Sequence, residues 1–159
     1  MLSEAVIISR LIKNEGYREE LYLCTSGKRT IGVGRCLDTN PLTKDEIKKI
    51  GCENPKKITK EQVYYLLRND IKRVTSEMFE AFPWAERLDN ERQFALFDMC
   101  FQMGVAKVKQ FKKTLSYLST GFYLQAGREL LNSVYARQTP KRAIRNSNCF
   151  KIGVYNYDD

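Results

Sequence analysis

The chain has 159 residues, a net charge of +8, five cysteines and no histidine. That length suits one compact domain with a sizeable core, and the ordinary apolar and charged fractions exclude a disordered chain. With no histidine and no close CxxC pair, a zinc site is not the expectation, and Ser-His and Cys-His chemistry are excluded, so hydrolysis must run on carboxylates, thiols or hydroxyls.

The opening "MLSEAVIISRLIKNEG" is interrupted by Glu4, Arg10 and Lys13. It reads as neither signal peptide nor membrane anchor, and the expectation is a protein kept in a cytoplasm. Ser3 is placed to cap a first helix running to about Asn14, with Ile8, Leu11 and Ile12 on one face and Gly16 as its stop. "ELYLC", "TSGK" and "RTIGVG" read as strand, turn and strand. "TKDE", Thr43 to Glu46, is a capping box for a short helix that Gly51 closes. Residues 1–59 thus form a small mixed lobe.

"TKEQ", Thr59 to Gln62, is a second capping box. It opens a long helix over 60–82 with Val63, Leu66, Leu67, Ile71, Val74 and Met78 at helical spacing, ended by Pro83 and Trp84. Polar on much of its circumference, this helix is suited to bridge two lobes. Residues 83–159 read as all helix. Asn90 caps "ERQFALFDMCFQM" ahead of Gly104, two helices follow around "KQFKKTLSYL" and "YLQAGRELLNSV", and Thr139-Pro140 opens "KRAIRNSNCF". The fold class is therefore α+β and predominantly helical.

Charge is unevenly placed: Met103 to Lys151 carries ten Lys and Arg against Glu129 alone. Such a surface attracts polyanions, whether nucleic acid, anionic membrane or cell-wall polymer, unless it is generic solubility charge.

The candidate chemistry lies in "NEGYREELYLCTSGKRTIGVGRC". Glu15 follows Ile8, Leu11 and Ile12 by seven, four and three residues, which puts it on the buried side of the first helix in its last turn. Partial burial and the negative end of the helix dipole both raise a carboxyl's pKa there, as a general acid requires. The competing reading is a frayed end at which Glu15 reaches solvent. On a regular strand Thr30, Gly32 and Gly34 share one face, a shelf where a ligand can approach backbone, unless the glycines only relieve twist. Cys24 reads either as a small buried hydrophobe or as a thiol activated by Lys28 and Arg29. A helix-end acid, a thiol and a hydroxyl form a workable glycosidase set. The acid protonates the glycosidic oxygen, the second group supplies or directs the nucleophile, and the hydroxyl orients a water.

The order and spacing Glu15, Cys24, Thr30 and "TIGVG" resemble the phage-type lysozymes, or endolysins, whose signature has Asp or Cys in the middle place. "DMCFQMG" resembles that family's central helix, with Asp98 at an asparagine position. "FKKTL" and "SVYARQTPKRAIR" resemble its late segments, with Tyr135 for a tryptophan.

The resemblance implies a two-lobed lysozyme-like fold joined by the long helix, and hydrolysis of the β-1,4 bond between N-acetylmuramic acid and N-acetylglucosamine in peptidoglycan. It implies Glu15 as the acid, Cys24 as nucleophile or water-activating base, Thr30 as the orienting hydroxyl, and Cys36, Phe101, Gln102 and Thr114 as residues lining the sugar cleft. Glu129 stands where a substrate-contacting asparagine is typical. Arg35 replaces a histidine that pairs with an aspartate at the position of Asp70, which predicts an Arg35–Asp70 salt bridge. Arg142 matches an arginine that pairs with the acid. No metal or cofactor is implied. The biology implied is a monomer stored in the cytoplasm of an infected bacterium and released to periplasmic peptidoglycan by a separate holin, with the basic C-terminal lobe drawn to anionic wall or outer-membrane polymers. The alternatives are a basic helical nucleic-acid-binding module and a lysozyme-fold protein that binds wall without cleaving it.

Overall fold

The computed structural model describes residues 1–157. The chain is α+β and mostly helical, with a small N-terminal antiparallel sheet followed by a helical region. It divides into two compact units. One is Ala5–Arg73; the other joins Met1–Glu4 to the chain from Val74 onward.

In the N-terminal unit, α1 (Glu4–Glu15) buries Ile7, Ile8 and Leu11 and stops at Gly16, whose amide bonds back to the Ile12 carbonyl at 2.9 Å. Strands β1 (Arg18–Leu23), β2 (Arg29–Gly32) and β3 (Arg35–Cys36) form the sheet in chain order. Tyr22 faces Thr30 across β1 and β2, and Thr30 faces Cys36 across β2 and β3. The expected strand "RTIGVG" is therefore a shorter strand, β2, and a turn that leads into β3. Gly32 and Gly34 both take φ of +69°, so the chain turns over Gly32-Val33-Gly34 instead of continuing the pleat. The capping box of α2 (Lys44–Ile50) is formed in full. Thr43 Oγ1 accepts from Glu46 N–H, and Glu46 accepts from Thr43 N–H. The second box opens α3 (Lys60–Ala81) through reciprocal Thr59 and Gln62 bonds. Val63, Leu66, Leu67 and Ile71 from α3 join Ile31, Val33, Leu37, Ile58 and the three α1 residues as the buried apolar residues of this unit.

The C-terminal unit is helical. After a short 3-10 turn over Pro83–Arg87 come α4 (Asn90–Met103), α5 (Val105–Val108), α6 (Lys112–Ser119), α7 (Tyr123–Leu131), α8 (Val134–Gln138) and α9 (Pro140–Ile152). The cap of α4 is Asp89, which accepts from Arg92 N–H, and not Asn90, which is the first helical residue. The core is a set of buried side chains from α4, α6, α7 and α9, including Phe94, Phe97, Met99, Leu118, Leu130 and Phe150. α7 and α9 touch at Gly127. A Cβ there would stand 2.6 Å from the Ser147 carbonyl oxygen, so only glycine permits the approach. Ser147 Oγ donates to the Gly127 carbonyl at 2.7 Å. Proline at the start of α9 stands where its missing N–H costs nothing.

Candidate active site

Glu15 ends α1 half-buried, and its carboxyl lies against the β2–β3 turn. A Cβ on Gly34 would stand 2.8 Å from Glu15 Oε2 and 3.1 Å from its carboxyl carbon. A Cβ on Gly32 would meet Val63 Cγ1 at 3.6 Å. The expected open shelf over Thr30, Gly32 and Gly34 is thus filled by the chain itself. Departure from the pleat at Gly32 sends the two glycines to different neighbours, and one of those neighbours is the acid.

Cys24 sits in the turn that closes β1 and β2. Its amide donates to the Lys28 carbonyl at 2.9 Å, and the same oxygen accepts from Thr30 Oγ1 at 3.0 Å. Thr30 is buried and Cys24 half-exposed. Cys24 Sγ and Ser26 Oγ share a hydrogen bond of 3.0 Å. The thiol pKa is lowered to about 7, first by that Ser26 hydrogen bond, then by the backbone amides of Lys28 and Ser26, with Thr30 adding to it. Hydrogen bonds to the charged form are what favour a thiolate here, more than the lysine and arginine of the turn. A half-exposed thiolate near neutral pH is a competent nucleophile or base.

The charges of both groups bear on Tyr22. Its hydroxyl pKa is raised first by burial, then by the negative charge of Glu15, with Cys24 adding and Arg18 opposing. Glu15 and Cys24 therefore both act on one phenol, which is also the cross-strand neighbour of Thr30. Cys36, half-buried, faces Thr30 on its other side.

Behind this turn lies an ion cluster. Arg35 Nη1 stands 3.0 Å from Asp70 Oδ1, and Arg35 Nη2 2.7 Å from Glu46 Oε2. Arg35 also donates to the carbonyls of Asn40 (2.8 Å) and Pro41 (3.2 Å), and Asn69 donates to Glu46 at 3.0 Å. All three charged side chains are buried. Burial dominates at Asp70 and raises its pKa against the pull of Arg35 and Arg73. Burial also presses on Glu46, but bonds from Arg35, Thr43 N–H and Asn69 outweigh it and leave its pKa lowered. Glu46 is the member that residue reading missed, because its capping-box role already accounted for it.

Phe101, Gln102, Thr114 and Arg142 belong to the C-terminal unit. Phe101 rests against Phe97 with ring centroids 5.8 Å apart, Thr114 is buried on α6, and Gln102 Oε1 is enclosed without a hydrogen-bond partner. Arg142 grips Asp98 with two bonds, Nε to Oδ2 at 2.9 Å and Nη2 to Oδ1 at 2.7 Å. Asn146 Nδ2 bridges Asp98 Oδ2 and the Tyr135 hydroxyl, each at 3.0 Å. Residue reading missed Ser26, Tyr22 and Asn146. Only Ser26, two residues beyond a candidate thiol, carried a local signal.

The phage lysozyme family profile matches residues 12–146, which spans Glu15, Cys24, Thr30 and all the other residues above. The chain belongs to the phage lysozyme family. Members of this family are muramidases, glycoside hydrolases acting on peptidoglycan. The chain is 31% identical over 154 residues to "Probable T4-type lysozyme 2" of Dictyostelium discoideum, covering 89% of this chain and 91% of that protein. It is 31% identical over 157 residues to "Probable T4-type lysozyme 1" of the same organism, covering 90% and 92%. It is also 31% identical over 147 residues to "Pre-baseplate central spike protein Gp5" of Enterobacteria phage T4, covering 85% of this chain but 26% of that protein.

Proposed function

We propose that this phage-family lysozyme cleaves the β-1,4 bond between N-acetylmuramic acid and N-acetylglucosamine, with Glu15, Cys24 and Thr30 as its catalytic residues. Glu15 delivers a proton to the glycosidic oxygen as the bond to the anomeric carbon breaks. Cys24, as thiolate, either attacks that carbon or takes the proton of an attacking water, and Thr30 orients the group that attacks. Cys36, Phe101, Gln102 and Thr114 contact the glycan. Arg35 and Asp70 hold the turn beneath Glu15 from behind. The observation that carries this reading is the pairing of a carboxyl seated on Gly34 with a thiol that its hydrogen bond to Ser26 holds near neutral pKa.

The biological role proposed is lysis of a bacterial host to release phage. The enzyme waits in the host cytoplasm as a monomer, a separate holin admits it to the periplasm, and its basic C-terminal half is attracted to anionic wall and outer-membrane polymers.

Turbidity of permeabilised Gram-negative cells tests the chemistry with wild type and Glu15→Gln. Clearing by wild type alone supports it, and equal clearing by both rejects the assignment of Glu15. Clearing by neither, with salt-sensitive oligonucleotide binding, points to a nucleic-acid module instead. For the biology, expression in intact cells lyses them only when a holin is co-expressed; lysis without one rejects cytoplasmic storage.

A further inference from the structure

The turn between α6 and α7 leaves large apolar side chains in solvent. Gly121 closes α6 with φ of +83°, and the Phe122 amide bonds back to the Tyr117 carbonyl at 2.9 Å. That cap seats the Phe122 ring against Tyr117, with centroids 6.4 Å apart, yet Phe122 stays 55% exposed and Tyr117 38%. Leu124, in the first turn of α7, is 46% exposed. Arg92 brings the end of α9 to the same place. Its guanidinium stacks on Tyr123 at 3.8 Å and donates to the Phe150 and Lys151 carbonyls. A Cβ on Gly153 would stand 2.9 Å from its Nη1. Tyr123 and Gly153 thus flank one guanidinium, which draws Phe122 and Leu124 towards Ile152 (69% exposed) and Val154 (53%). A helix cap needs one ring contact. It does not account for five exposed apolar side chains gathered in one region.

Cations surround this cluster. Lys113 stands one turn before Tyr117 on α6, Arg128 one turn after Leu124 on α7, and the Lys151 stem lies over Gly127. Among the described residues none of the three has an ion pair. The acids at this edge are engaged: Arg92 holds Asp89 at 2.8 Å, and Glu91 accepts from the Tyr155 amide at 3.3 Å. From Met103 to the last residue the sequence has ten Lys and Arg against Glu129, Asp158 and Asp159. A second copy of the chain would set these cations against their equivalents. A wall polyanion would use the cations but leave the apolar side chains in water. An anionic bilayer takes both, and because no helix among the described residues is long and apolar enough to cross a membrane, the contact is interfacial. We propose that the α6–α7 turn and the end of α9 form an interfacial site for an anionic phospholipid surface. Phe122, Leu124 and Ile152 enter the headgroup boundary, while Lys113, Arg128 and Lys151 meet lipid phosphates. This site lies outside the glycan chemistry and does not depend on it.

The test is co-sedimentation with vesicles of phosphatidylcholine alone or mixed with phosphatidylglycerol. Wild type should bind the anionic vesicles. Phe122→Ser/Leu124→Ser keeps every charge and should bind them about tenfold more weakly, because two side chains lose their apolar burial. Val134→Ser removes a side chain just as exposed (56%) beyond the far end of α7, and should bind as wild type does. In salt of about 0.5 M, which screens the phosphates, wild type should keep residual binding that the double variant lacks. Equal binding by wild type and the double variant reduces the attraction to net charge and overturns the proposal, as does an equal loss in Val134→Ser. A dimer in solution that the double variant abolishes gives the face to a second copy and overturns it too. If the double variant melts early, Ile152→Ser takes its place. Clearing of permeabilised cells by the double variant at the wild-type rate shows the muramidase intact, so failure of that assignment is seen separately.

Discussion

The carboxyl of Glu15 rests on Gly34, so near that a Cβ at position 34 would stand 2.8 Å from Oε2. Gly34 also takes φ of +69°, where any side chain costs about 1–2 kcal/mol of backbone strain. Gly34→Ala therefore combines strain with displacement of the acid. Gly51→Ala separates the two effects, because Gly51 has φ of +82° but nothing within 4 Å of its added Cβ. Both variants should lose similar stability in thermal melts. Only Gly34→Ala should lose muramidase activity as well, on the order of a hundredfold for a displaced catalytic group. Equal activity of the two would detach Gly34 from catalysis.

The Cys24 thiol, with its pKa at about 7, should react with iodoacetamide with a midpoint near that pH, well below an ordinary thiol. Cys36 and Cys52 are also accessible, so the measurement belongs in a Cys36→Ser, Cys52→Ser background. Ser26→Ala removes the largest stabiliser of the thiolate. Its midpoint should move upward, and the fraction reacting at pH 6.5 should fall. Alkylation should stop lysis at the same rate at which Cys24 is consumed. An unchanged midpoint in Ser26→Ala would mean that the backbone amides alone hold the thiolate.

Anomeric analysis of the first product decides what Cys24 does. A retained anomer requires a glycosyl-thioether at C1, formed as Glu15 protonates the leaving oxygen and then hydrolysed by a water that Glu15 deprotonates. An inverted anomer makes Cys24 a base for water. The thiolate is the stronger nucleophile of the two motif variants, so retention is the expected outcome.

Legibility followed the range of each interaction. The capping boxes at Thr43–Glu46 and Thr59–Gln62 close over three residues, and both are formed as their sequences imply. The apolar spacing of Val63, Leu66, Leu67, Ile71, Val74 and Met78 predicted the buried stripe of α3, because a helix turns a local period into a face. "TIGVG" misled because alternation looks the same whether the chain stays pleated or turns; two positive φ angles decided it. The short α5 and α8 are too brief to show an amphipathic period. Glu15, Cys24 and Thr30 were legible as residues, but the seat of Glu15 on Gly34 and the Ser26 hydrogen bond to Cys24 were not. Asp98 and Arg142 are 44 residues apart, and no local pattern announces their pairing.

The Arg35 cluster holds two carboxylates on one guanidinium, and the two are not equivalent. Burial disfavours the charge on Asp70, whose pKa is raised, whereas bonds from Arg35, Thr43 and Asn69 favour the charge on Glu46, whose pKa is lowered despite burial. Asp70→Asn should therefore cost less than about 1 kcal/mol, and Glu46→Gln about 1–3 kcal/mol. Arg35→Met strands both carboxylates and should cost about 3–5 kcal/mol. The signs with pH are opposite. Glu46 adds stability above the unfolded carboxylate pKa, and this is lost as pH falls through its lowered folded value. Asp70 favours the fold while protonated and costs stability as pH rises through its raised value, so Asp70→Asn should gain on wild type with rising pH. Urea midpoints across the acid to neutral range measure both. Equal costs for Asp70→Asn and Glu46→Gln would show that the cluster does not distinguish its two carboxylates.

In the C-terminal unit, Asp98 is fully buried and carries a bidentate bond from Arg142, a bond from Asn146 and one from the Tyr155 hydroxyl at 3.4 Å. Tyr135, by contrast, meets Asn146 through one hydroxyl. Tyr135→Phe leaves Asn146 Nδ2 still bonded to Asp98 and should cost about 1 kcal/mol, the net worth of one neutral hydrogen bond. Asp98→Ala removes the anion from a mostly buried guanidinium and an acceptor from Asn146, and should cost about 3–5 kcal/mol. Asp98→Asn keeps one carbonyl acceptor but cannot accept both guanidinium bonds and the Asn146 bond as well, so it should fall between them. Denaturant midpoints order the three variants. Should Tyr135→Phe prove as costly as Asp98→Ala, the phenol and not the ion pair would be the element on which α4, α8 and α9 depend.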